Sequence, residues 1–88
     1  MDTRATVLAN IAANVRRTRE RRGLTQEQLA ERCGLNFRYI QRVERAEINL
    51  TVVKLAVLAD ALGVSPGALF KTSRPLPEPR RGRPRTRS

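Results

Sequence analysis

The stretch from Gln26 to Arg45, QEQLAERCGLNFRYIQRVER, limits the fold more than any other part of the chain. Its caps and apolar residues fit two short helices that meet at a steep angle across a tight turn. Leu29 and Ala30 fall on one face of the first helix, and Ala30 is small where the second helix must come close. Gly34 follows directly, at the point where a chain leaving a helix turns through the left-handed conformation. Asn36 then caps the next helix. Ile40 and Val43, three residues apart, point back at Leu29 and Ala30 and close a shared core. An arbitrary helical hairpin would not need small, turn and apolar residues at all of these offsets.

The same reasoning extends along the chain and predicts an all-α domain of five helices with no strand and no internal repeat. Helix 1 is expected from about Thr6 to Arg22, with Leu8, Ile11, Ala12 and Val15 on one face and arginines crowding the C-terminal end, where the helix dipole favours them. Helix 2 starts after Thr25, which sits three residues before Gln28 and so allows a capping box. Helix 3 starts after Asn36. Helix 4 follows Thr51, with Val52, Leu55, Leu58, Ala59 and Leu62 as its core stripe before Gly63 ends it. Ser65 and Pro66 open a short fifth helix that holds Leu69 and Phe70. The folded domain is placed at residues 1–72 and a flexible tail at 73–88.

Charge and residue usage narrow the function independently. The 88 residues carry 18 basic and 8 acidic side chains, a formal net charge of +10, which points to a nucleic-acid partner. Arginine supplies nearly all of the basic set and suits forked recognition of phosphate and guanine. With one cysteine, Cys33, and no histidine, an internal disulfide and a Cys/His zinc site are both excluded. Cys33 is expected to pack inside. Acidic pairs occur at helical spacing, but with no histidine, activated nucleophile or glycine-rich phosphate loop beside them they imply no catalysis. No metal, cofactor or small-molecule ligand is expected. No run reaches the length of a membrane span, so the chain is expected in the cytoplasm, associated with the nucleoid. Only three aromatic residues are present, Phe37, Tyr39 and Phe70. Stability must therefore come from aliphatic helix packing, which a dimer interface would reinforce.

Rotating helix 3 by about 100° per residue separates two faces. Phe37, Gln41, Arg45, Arg38 and Arg42 fall within roughly 140° of arc, with Ile40 and Val43 opposite. In a major groove, arginine can donate twice to guanine, glutamine can bridge adenine, and an aromatic surface can meet a thymine methyl. Phe37, Arg38, Gln41 and Arg42 are accordingly the expected base readers.

The segments RGLTQEQLAERCGLN, YIQRVERAE and KLAVLADALGVSPGALF resemble the Cro and cI repressor type (XRE-like) of helix-turn-helix protein, over about Ile11 to Phe70. The resemblance implies a compact repressor-type domain in which Phe37, Arg38 and Arg42 meet base edges. It places Gln26 and Asn36 near phosphates; Thr25 and Arg45 complete that expected phosphate-contacting set. It also implies a structural ion pair between Arg19 and Glu44. Two departures stand out: Ala46 replaces the glycine that usually ends the recognition helix, and Leu50 stands where proline is common.

The tail, SRPLPEPRRGRPRTRS, has too little apolar content to fold and too much proline for a helix. Arg81, Gly82, Arg83 and Pro84, followed by Arg85, resemble the core of an AT-hook. In such a segment glycine lets the chain lie on the floor of an A·T minor groove and arginines enter the negative potential there. Nonspecific attraction to phosphate is the alternative role.

Together these features predict a sequence-specific regulator of transcription that binds double-stranded DNA as a homodimer on a palindromic operator, acting as a repressor. Val64, Leu69 and Phe70 are candidate dimer contacts by position. A controller protein of a restriction-modification system would use the same fold, and an antitoxin would couple it to a toxin-binding segment. An architectural or RNA-binding protein would need only the charge and the tail.

Overall fold

In a computed structural model the described residues are 2–72. Four α-helices form: α1 over Thr3–Arg21, α2 over Gln26–Cys33, α3 over Phe37–Glu44 and α4 over Val52–Leu62. A 3-10 turn, Pro66–Phe70, follows. No strand occurs among the described residues.

Each α-helix begins on a side chain that accepts from its first free amides. Asp2, Thr25, Asn36 and Thr51 fill this role for α1 to α4 in turn. At Thr25 the capping box closes in both directions, with Gln28 N–H donating to Thr25 Oγ1 at 3.0 Å and Thr25 N–H to Gln28 Oε1 at 2.9 Å. Asp2 explains why α1 starts three residues before the expected Thr6. Its Oδ1 accepts from the amides of Arg4 and Ala5 at 3.0 and 3.3 Å and secures an additional N-terminal turn.

All four helices also end in one way. The amide at position six closes onto the carbonyl at position one, and the amide at position five onto the carbonyl at position two. The outer bonds are Leu24 to Arg19, Leu35 to Ala30, Glu47 to Arg42 and Val64 to Ala59. This Schellman closure needs a left-handed residue at its corner. Gly23, Gly34 and Gly63 supply it for α1, α2 and α4, whereas after α3 the corner is Ala46, at φ 59°.

The core lies where the four helices and the terminal turn meet. Val15, Leu29, Ile40, Val43, Leu58, Leu62 and Leu69 are its largest enclosed side chains. Burial of such a side chain contributes roughly 1.5–3 kcal/mol each, which is what holds helices of eight residues that would not persist alone. Asn14 secures the terminal turn to α1: its Nδ2 donates to the carbonyls of Leu69 and Lys71 at 2.9 and 2.8 Å.

Three expectations are corrected. The fifth element is a 3-10 turn rather than an α-helix; its five residues include the proline at the first position, and it closes through the Ala68 amide onto Ser65 at 3.0 Å. Val52 is not core but 82% exposed, because at the first position of α4 no neighbouring element reaches far enough to cover it. Leu69, offered as a dimer contact, is buried within the subunit, while Phe70 beside it is exposed. Leu8 is only half-buried, and Cys33 sits half-buried at the core margin.

Candidate nucleic-acid interface

α3 divides as its rotation predicts. Ile40 and Val43 are buried beneath it, while Arg38, Arg42 and Arg45 stand exposed on the other side. Among the described residues neither Arg38 nor Arg42 takes an ion-pair partner, so both guanidinium groups keep their donors for an outside acceptor. Gln41 is half-buried between them. Phe37, on the first turn, is 40% exposed and lines a shallow cleft with Ala30 and Leu35. The side chain is thus partly open to solvent beside α2.

The expected phosphate contacts occupy the helix starts. Asn36 Oδ1 accepts from Tyr39 N–H at 2.8 Å, which commits the carbonyl end of its carboxamide and directs the NH2 end elsewhere. Thr25 Oγ1 accepts from an amide in the same way, and its hydroxyl proton remains a donor. Capping and contact with an anion are thus compatible at both residues. Gln26 is placed differently from a free surface side chain: its Nε2 donates to Glu44 Oε1 at 3.0 Å.

Glu44 itself is enclosed, with 4% of its side chain exposed, and it meets Arg19 at two points. Arg19 Nε lies 2.7 Å from Oε2 and Nη2 lies 3.0 Å from Oε1. Arg19 also donates from Nη1 to the Leu24 carbonyl at 2.8 Å. Hydrogen bonding to Glu44 raises the guanidinium pKa above its ordinary value, outweighing the opposing effect of burial. This pair fixes α1 against the C-terminal end of α3 and so sets the angle at which α3 is displayed.

Two features were not visible in the sequence. Lys54 Nζ lies 4.8 Å from the centre of the Tyr39 ring and brings a cation from α4 beside α3. The Gln26–Glu44 bond joins residues 18 apart, and helical spacing within either element gives no signal for it. Burial pushes the Cys33 thiol and the Tyr39 phenol up, so neither is primed to ionise.

Arg81, Gly82, Arg83, Pro84 and Arg85 lie outside the described residues. Within those residues no group of three or more Cys, Asp or Glu side chains is disposed to hold a metal, and no helix is long and apolar enough to cross a membrane.

With this geometry in place, comparison with known proteins gives consistent matches. The helix-turn-helix model HTH_3 matches residues 15–69. The HTH-type transcriptional regulator y4dJ of Sinorhizobium fredii is 45% identical over 65 residues, which span 74% of this chain and 79% of that protein. The control protein C.SmaI of Serratia marcescens is 51% identical over 55 residues, 62% of this chain and 66% of the relative, so just under two thirds of its length is matched. Among solved structures, the hypothetical transcription factor NHTF from Neisseria superposes with a TM-score of 0.74 at 36% identity, covering 75% of this chain and 76% of that one.

Proposed function

The chain belongs to the helix-turn-helix family HTH_3, and from that premise we propose that it is a sequence-specific, non-enzymatic DNA-binding regulator of transcription. The observation that carries this reading is the division of α3: Arg38 and Arg42 exposed and, among the described residues, without an ion-pair partner on one side, Ile40 and Val43 buried on the other. A helix anchored by its aliphatic side offers the opposite side to base edges in a major groove. Arg38, Arg42 and Gln41 read bases, and Phe37 meets a thymine methyl with its exposed surface. Thr25, Gln26, Asn36 and Arg45 contact phosphates, which fix register without carrying sequence information.

One such domain reads only a few base pairs. A two-fold dimer would set two recognition helices about 34 Å apart on a palindromic operator. Support for self-association comes from an apolar groove of about 340 Å³ between α1 and the start of α4, lined by Val7, Leu8, Leu50, Val52 and Phe70. Exposed Val52 and Phe70 on its walls, with exposed Val53 adjacent to Val52 in sequence, form an apolar rim that association would cover. Occupying an operator in this way represses transcription, and the protein acts in the cytoplasm on the nucleoid. The basic tail, through Arg81 to Arg85, adds contacts in a flanking A·T minor groove.

Similarity to C.SmaI favours a second reading of the same mechanism, a controller protein of a restriction-modification system.

Selection of bound fragments from random DNA tests the proposal directly. A palindromic consensus with half-sites about one helical turn apart is the expected result. Recovery of no consensus, or a ratio of specific to nonspecific affinity near one at fixed salt, overturns it.

A further inference from the structure

The groove between α1 and the start of α4 is built largely from residues that the helix-turn-helix family model does not reach. Arg4, Val7, Leu8 and Ile11 precede the matched residues 15–69, and Phe70 follows them. Its floor is apolar, and Phe70, 51% exposed, gives it an aromatic wall. Arg4 is the only charged residue on its lining and takes no ion-pair partner among the described residues.

The chain itself comes out at this groove. Asn14 holds the carbonyls of Leu69 and Lys71 against α1, and the described residues end at Thr72, two positions after Phe70. The sequence continues SRPLPEP. Between residues 73 and 88, Leu76 is the only leucine, valine, isoleucine or aromatic residue, and Glu78 is the only acid. An arm made only to follow phosphates needs neither, and a carboxylate there is repelled. Pro75, Pro77 and Pro79 favour an extended backbone, and proline-rich segments of that shape dock in aromatic-lined grooves with little entropy left to lose. At about 3.1 Å per residue, Leu76 reaches roughly 12 Å beyond Thr72 and Glu78 roughly 19 Å. Along α1, Ile11 to Arg4 covers only about 10 Å. Leu76 can therefore lie over the apolar floor while Glu78 arrives at Arg4.

We propose that residues 75–78 of the same chain occupy this groove, with Leu76 against Val7, Leu8 and Phe70 and Glu78 paired with Arg4. Val52 and Val53 stay at the rim, available to a second copy. Arg4 also borders the loop after α3, beside Ala46 to Asn49. The docked segment thus starts the arginine run Arg80 to Arg85 next to the end of α3 instead of at Thr72. A shorter tether from a set origin raises the local concentration of those arginines over one part of the flanking duplex. This last consequence rests on the DNA-binding reading above; the docking does not.

Nuclear Overhauser contacts in the free full-length protein test the docking. When isotope-labelled and unlabelled chains are mixed, contacts from the Leu76 methyls to Val7 and the Phe70 ring should arise within one chain and persist on dilution. Leu76→Ser should abolish them and shift the Val7, Leu8 and Leu55 methyl resonances, with helical content unchanged. Glu78→Arg should lower the docked-to-free ratio about threefold, and adding Arg4→Glu to it should restore the ratio. Absence of the Leu76 contacts overturns the proposal. So does finding them only between chains, which makes the groove a seat for a second copy. On operator duplexes whose flanking A·T tract is stepped outward, wild type should favour one spacing and Leu76→Ser should lose that preference. Equal spacing profiles for the two proteins overturn the fixed origin of the arginine run. If the contacts are absent while wild type binds its operator, the docking falls and the regulator reading stands. If the contacts are present while wild type selects no duplex, the regulator reading falls and the docking stands.

Discussion

Arg19 on α1 and Glu44 at the end of α3 meet through two hydrogen bonds, 2.7 and 3.0 Å long, with 11% and 4% of their side chains exposed. Such a pair specifies an angle between helices more than it adds net stability, because both charges have been taken from water. Removing one partner leaves the other uncompensated. Glu44→Ala should cost about 3–5 kcal/mol, which in a domain of this size lowers the melting temperature by about 15 °C or more. Arg19→Met combined with Glu44→Leu should be milder than Glu44→Ala alone, and thermal unfolding followed by circular dichroism compares them.

Ala46 gives the opposite sign. Holding an alanine at φ 59° costs roughly 1–2 kcal/mol against a residue without a Cβ. Ala46→Gly recovers part of that while relaxing the unfolded chain, for an expected net gain of about 0.5–1 kcal/mol. A rise in melting temperature of a few degrees, with operator affinity unchanged, is the predicted outcome.

The exposed valines at the start of α4 test the dimer without disturbing the core. Val52→Ser with Val53→Ser should leave the helical content of the subunit intact, since these residues are 82% and 71% exposed. Sedimentation equilibrium should then show a shift toward monomer, and operator binding should become steeply dependent on protein concentration.

On α3 itself, two kinds of arginine should separate. Arg38→Ala or Arg42→Ala should each cost about 1–3 kcal/mol on the operator and relax preference at one base pair per half-site. Arg45→Ala should weaken all duplexes alike. Binding measured on operator variants at fixed salt distinguishes the two patterns.

How much of this could be read from the chain depends on how local the signal is. The start and end of α2 and the start of α3 were legible because Thr25, Gln28, Gly34 and Asn36 act on backbone within six residues of themselves. The two faces of α3 were legible for the same reason: helical rotation is a local property. Val52 failed because periodicity gives the direction a side chain points and not whether another element extends over it. The 3-10 turn at Pro66 failed because five residues carry too few apolar positions to separate a repeat of three from one of 3.6. The Gln26–Glu44 bond lay beyond reach altogether, since it exists only once α2 and α3 have docked.

Asn14 connects the first helix to the last described turn, with one carboxamide nitrogen shared between the carbonyls of Leu69 and Lys71. The ends of the folded domain are thereby stitched to each other. A shortened protein that stops at Leu69 forfeits more than its last few residues, because Asn14 in the middle of α1 loses the Lys71 carbonyl, one of its two acceptors. The minimal autonomous unit thus extends at least to Lys71, and any appended segment starts from an attachment point whose position is set by α1.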